Sequence, residues 1–161
     1  LLILGIDPGL NRTGYALLEY NGKTPQLREA GVLSTKVKEP TEQRLKTLYQ
    51  GLTEIITEFQ PSNMVVENLY SHYNHPQTAV IMGHARGIAF LAAASQNIPV
   101  ACYAATRIKK SITGNGRASK VQVQRSIRSL MNLKDESARY DAFPDVADAI
   151  AVALCHIEGF R

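Results

Sequence analysis

The sequence predicts an α/β fold, a mixed five-stranded sheet flanked by helices, and three observations carry that reading. Leu1 to Ile6 is continuously apolar, the pattern of a strand buried on both faces. Asn21-Gly22 stands between two strand-like runs, a strong short-range hairpin signal. Beyond Pro61, helix-periodic segments alternate with short apolar runs, as they do in sheets with helices packed on them.

Each element follows from local chemistry. Asp7-Pro8-Gly9 ends the first strand with turn residues. A second strand fits Gly14 to Tyr20, and a third, near Leu27 to Thr35, closes an antiparallel meander. Leu45, Leu48, Leu52, Ile55, Ile56 and Phe59 recur at helical spacing, and Pro61 stops that helix. Met64-Val65-Val66 is a short strand terminated by Glu67. A helix rich in small residues spans about Gln77 to Gln96, followed by a strand at Pro99 to Tyr103. A short helix after Thr106, a break at Gly114-Asn115-Gly116, a helix near Ser119 to Leu130 and a last one from Pro144 complete the chain.

With 161 residues, 45% of them hydrophobic, the chain is sized for one domain, residues 1–161, with a real core. The longest strongly apolar stretch, Ile88 to Ala94, is too short to cross a bilayer. No basic-then-apolar leader precedes the first strand, so secretion has no support. Cys102 and Cys155 both sit in apolar surroundings, which fits a reducing cytoplasm better than a disulfide framework. No Cys/His spacing suggests zinc.

The net charge of +4 is unevenly spread. Residues 104–140 hold Arg107, Lys109, Lys110, Arg117, Lys120, Arg125, Arg128, Lys134 and Arg139 against only Asp135 and Glu136. A basic lobe on a mildly acidic body is the footprint of a polyanion ligand, although a solvated helical surface would read the same way.

Asp7 and Glu67 each follow a buried apolar strand, and ligand sites in open α/β sheets gather at the carboxyl ends of strands. Asp7 is equally an ordinary turn residue. Glu67 is a poor one, and costly to bury unpaired. In Asp145-Val146-Ala147-Asp148 the acids are three apart and share a helical face. They are candidate ligands, or else Asp145 is an N-cap with Asp148 in the first turn, both favouring the helix dipole. Four ionised acids in one crevice would repel unless hard divalent cations joined them. Two such ions can activate a water and stabilise the leaving oxygen of a phosphodiester. Beside a basic lobe that holds phosphates, the pattern points to a nuclease.

Weaker signals surround these. Tyr70 and Tyr73 with His72 and His75 form a polar-aromatic loop after Glu67, able to set a ring against an unstacked base. His84 and His156 read as packed or solvent-facing rather than as ligands. Gly83 and Gly87 with Ala79, Ala89 and Ala92 permit close helix packing, within the fold by default or across a dimer.

Several stretches together resemble the RuvC-type Holliday junction resolvases. They are Gly5-Ile6-Asp7-Pro8-Gly9 with Thr13-Gly14-Tyr15, Val66-Glu67-Asn68-Leu69-Tyr70, Gly83-His84-Ala85-Arg86-Gly87, Thr106 to Lys120, and Asp145-Val146-Ala147-Asp148-Ala149-Ile150-Ala151. In order and spacing they cover nearly the whole chain. The resemblance implies an RNase H-like fold, a homodimer, and paired nicks of like polarity across a four-way DNA junction. It implies Mg2+ as cofactor, two ions per site with Mn2+ able to substitute, and partnership with the RuvA and RuvB branch-migration complex. By motif position it makes Asp7, Glu67, Asp145 and Asp148 the metal-binding catalytic carboxylates. Lys109 and Lys120 fall where the family places basic residues for the junction, and Tyr70 stands where relatives carry Phe in a DNA-contacting loop. With Arg107, Lys110 and Arg117 of the basic lobe, these complete the expected DNA contacts of a cytoplasmic recombination and repair enzyme.

Three other readings compete. A nuclease of the same fold with an RNA target would share the acids. A non-enzymatic module binding structured nucleic acid would use them only to cap and end elements. Half of an actin-like ATPase would share Asp-Pro-Gly but lacks the half that closes over a nucleotide.

Overall fold

The computed structural model describes residues 1–68, 76–131 and 144–160. Tyr70, His72, Tyr73 and His75, together with Lys134, Asp135, Glu136 and Arg139, lie outside the described residues. Five strands form one mixed sheet: β1 (Leu2–Asp7), β2 (Arg12–Glu19), β3 (Gln26–Ser34), β4 (Asn63–Glu67) and β5 (Val100–Tyr103). Their order is β3-β2-β1-β4-β5. The first three strands pair antiparallel, whereas β4 joins β1 in parallel and β5 joins β4 in parallel. This is the expected meander with parallel strands added.

Because β1 is central, its alternate residues feed two cores. Leu4 and Ile6 pack with Leu17, Met64 and Val66 against α1 (Thr41–Phe59) and α2 (Pro76–Ser95). Ile3 packs with Ala16, Leu18 and Val65 on the other face. There α3 (Ala105–Thr113), α4 (Lys120–Leu130) and α5 (Pro144–Glu158) cover the sheet. Val146, Ile150 and Ile157 on α5 are at most 1% exposed, and each such burial contributes about 1.5–3 kcal/mol.

Element ends show what local patterning missed. The β2–β3 connection spans residues 20–25, around the expected Asn21-Gly22 and with Pro25, which cannot donate to a ladder, just before β3. Gly22 does take positive φ there (86°). α1 ends where Gln60 turns left-handed before Pro61. α4 opens on a capping box between Ser119 and Gln122. α5 begins at Pro144, so Asp145 is inside the first turn and is not the N-cap.

Helix α2 corrects two expectations. Gln77–Ser95 is long and apolar enough to cross a membrane by length and composition alone, with mean hydropathy 1.2, so reading only Ile88 to Ala94 was too narrow. One face of it, with Ala85, Ala89, Ala92 and Ala93, is buried against the fold, while Val80, Ile81 and Leu91 stay exposed. Gly87 is exposed and a Cβ there would meet nothing, so it serves no packing among the described residues. Cys102 is only half-buried and accepts a contact from Arg86 at 3.3 Å, while Cys155 is buried; both are free thiols.

Candidate active site

Parallel pairing of Ile6 with Val66 brings Asp7 and Glu67 side by side at the carboxyl ends of β1 and β4. The turn after Asp7 is locked by Thr13, which is buried: its hydroxyl donates to the Gly9 carbonyl at 2.8 Å and accepts from the Gly9 amide at 3.3 Å. Beyond Glu67, the Asn68 amide bonds the Tyr103 carbonyl at 2.8 Å, and the Arg86 guanidinium donates to the Asn68 side chain at 3.2 Å. The Arg86 of the Gly-His-Ala-Arg-Gly stretch therefore anchors the end of the strand that carries Glu67.

The other two acids arrive on α5, which lies directly on the sheet backbone. A Cβ at Gly5 would sit 2.1 Å from the Ala149 oxygen, and one at Gly14 would sit 2.1 Å from the Asp145 oxygen. Atoms that close overlap, so any side chain at either position would lift the helix. Both glycines lie in stretches legible in the sequence. Their role in seating α5 was not, because it depends on which helix crosses them.

The electrostatics confirm that the four acids share one neighbourhood. Asp7 has its pKa raised to about 7, first by burial and then by the charges of Asp148, Asp145 and Glu67, with Lys120 pulling it back. Glu67 is raised by burial and by Asp148, and is lowered by Lys109 and Lys120. Lys120 is desolvated, which lowers its pKa, but the net shift is upward through its hydrogen bond to Asp148 and the surrounding acids. An open cleft is lined by Glu67, Asp148, Lys109 and Lys120 together with Ala105, Ile108, Val123 and Ala151.

Two ion pairs complete the picture. Lys120 Nζ holds Asp148 Oδ2 at 2.7 Å, and Arg12 holds Asp145 Oδ2 at 2.8 Å. Arg12 went unnoticed in the sequence, where it is an ordinary polar residue entering a strand. Among the described residues no three acids, histidines or cysteines stand close enough to ligate one ion. In donor chemistry the site nevertheless fits a hard divalent cation, being all carboxylate oxygen. Asp7 is raised first by burial and then by the neighbouring carboxylates, so a nearby cation would relieve the second of these causes.

The basic residues divide. Lys109 and Lys120 reach the cleft, whereas Arg107, itself exposed, stacks its guanidinium 4.6 Å over the Tyr103 ring. Lys110 and Arg117 are exposed. His156 is buried, its Nδ1 at 2.8 Å from the Tyr103 hydroxyl, and His84 is exposed.

Comparison with known proteins agrees with this arrangement. The family model described as crossover junction endodeoxyribonuclease RuvC matches residues 3–156. A crossover junction endodeoxyribonuclease RuvC from Rhodopirellula baltica is 48% identical over 153 residues, 95% of this chain and 84% of that one. Its counterpart from Desulforamulus reducens is 45% identical over 158 residues, 98% and 94% of the two chains. Among solved structures, T. thermophilus RuvC in complex with Holliday junction substrate superposes with a TM-score of 0.91 at 28% identity. That match covers 100% of this chain and 95% of the other. The sheet and its helices are RNase H-like, as the resemblance implied.

Proposed function

The chain belongs to the RuvC family of crossover junction endodeoxyribonucleases, and from that premise we propose that it resolves four-way DNA junctions by paired, symmetric nicks. The observation that carries this reading is the gathering of Asp7, Glu67, Asp145 and Asp148 around one end of the sheet, beside a cleft holding Lys109 and Lys120. The four carboxylates would hold the metal, Mg2+ with Mn2+ as substitute and two ions per site. When bound, it supplies the positive charge that ionises the buried acids, activates water and steadies the leaving oxygen.

The chain's own residues do the rest. Asp7 and Glu67 are placed by strand ends, and Asp145 and Asp148 by a buried helix, so little backbone reorganisation is asked of them. Lys109 and Lys120 line the cleft where a DNA phosphate would lie and position it without reading sequence. Lys110 and Arg117 extend that contact outward, and Tyr70 is proposed to stack on a base. Arg107, already stacked on Tyr103, is the weakest of the proposed contacts. Residues 1–161 act as one nuclease domain.

A two-fold enzyme suits a roughly two-fold junction, and the reading includes a homodimer. Val80, Ile81 and Leu91 are 58%, 43% and 52% exposed along the outward face of α2, an apolar stripe that a second subunit would cover. Partnership with RuvA and RuvB, and action in the cytoplasm where chromosomal DNA is repaired, belong to the same proposal. The test is incubation with a synthetic mobile four-way junction, with Mg2+ or with chelator, mapping nicks on every strand. Symmetric Mg2+-dependent nicks are expected; cleavage of linear duplex or RNA–DNA hybrid in preference to the junction would overturn it.

A further inference from the structure

Arg12 sets its positive charge against Asp145, one of the four proposed metal ligands. Its guanidinium meets Asp145 Oδ2 at 2.8 Å, with the two side chains 43% and 29% exposed. The backbone beneath it is fixed. Arg12 pairs with Ser34 in the sheet, and its carbonyl lies so close to Gly9 that a Cβ there would come within 2.4 Å. The Asp145 backbone in turn rests on Gly14. The backbones of both partners are therefore fixed by the sheet and by α5, which keeps the two side chains within ion-pair reach.

We propose that Arg12 is a positioning residue that occupies Asp145 in the metal-free enzyme and so weakens divalent-cation binding there, resting on the metal-dependent reading above. A carboxylate oxygen engaged by guanidinium must release it before it ligates an ion. Removing the guanidinium removes that competition, and the preformed acid becomes available. An exposed pair of this kind is modest in strength, so its loss translates into about a two- to fivefold gain in cation affinity. Lys120 holds Asp148 in the same way at 2.7 Å, but Lys120 also lines the proposed DNA cleft, so the test is made at Arg12.

The experiment measures Mn2+ binding without DNA, by loss of the free-ion paramagnetic resonance signal. It compares the native chain with Arg12→Ala, Arg12→Lys, Asp145→Asn, Asp7→Asn and the Arg12→Ala/Asp145→Asn double variant, each checked by its melting temperature. Arg12→Ala is expected to bind Mn2+ about two- to fivefold more tightly, Arg12→Lys to stay near the native value, and the double variant to gain nothing over Asp145→Asn. Unchanged or weaker binding in Arg12→Ala would overturn the inference, as would an equal gain in the Asp145→Asn background, which would mark a diffuse charge effect. Native binding that Asp7→Asn abolishes while Arg12→Ala matches native sinks only the role of Arg12. Absence of native Mn2+ binding sinks the metal site itself, and the role of Arg12 with it.

Discussion

The side chain that Gly14 lacks would fall 2.1 Å from the backbone oxygen of Asp145, so the acid on α5 reaches the sheet only because β2 offers bare backbone beneath it. Gly14 pairs with Asp7 across β1 and β2, and one missing methyl therefore sets the spacing between two proposed ligands. Gly14→Ala is expected to destabilise the fold by about 1–3 kcal/mol. Cleavage is expected to fall further than junction binding. Chemical denaturation and a nicking assay measure the two effects, and a native-like variant would refute the seating argument.

Asp7 sits deepest among the acids, with its pKa raised to about 7 by burial and by three neighbouring carboxylates. Asp7→Asn preserves the shape but removes the charge that a cation needs. Cleavage should drop by about a thousandfold or more, the order expected when several kcal/mol of transition-state stabilisation vanish. Junction affinity in a gel-shift assay should survive, because the phosphate contacts lie elsewhere. Wild-type cutting by this variant would end the assignment.

The same shift makes stability depend on pH. Asp7 rises from 3.8 to about 7, so between those values the folded state binds more protons than the unfolded one. Stability is then highest on the acid side and is lost as pH rises toward and through about 7. Glu67 is also raised and acts in the same direction, whereas His156 is lowered by burial and acts oppositely. Melting temperatures of chelator-treated protein should fall less between pH 5 and 8 in Asp7→Asn than in the native chain (roughly the window this linkage spans). Identical slopes would contradict the buried-acid argument.

Lys109 lines the cleft and lowers the pKa of Glu67. If it contacts a junction phosphate, Lys109→Ala should weaken binding across all junction sequences. It should also reduce the slope of log affinity against log salt by about one. Fluorescence anisotropy at several salt concentrations reads this directly. An unchanged slope would move the phosphate path away from α3.

Much of this protein was legible before any coordinates. The apolar run of β1, the helical spacing of Leu48, Leu52 and Ile56, and the carboxylates placed directly after β1 and β4 are short-range patterns. Burial periodicity and turn chemistry write such patterns into adjacent residues. The four proposed catalytic acids were named for the same reason, aided by motifs spread along the chain. Which reading of Asp145 held, N-cap or site residue, was open in the sequence. The structure sets aside the N-cap reading alone, because α5 begins at Pro144 and Asp145 stands in its first turn, facing Arg12.

Other features belong to the tertiary structure alone. That Gly5 and Gly14 seat α5, that Arg86 ties down Asn68, and that Arg12 reaches an acid 133 positions away are facts about elements meeting across the fold. No local window contains both partners of any of these contacts. The sequence by itself determined the strands, the helices and the inventory of charged groups, because those depend on neighbours a few residues away. Only packing decided which charges face each other, because the distance between two side chains in space is set by the crossing of whole elements.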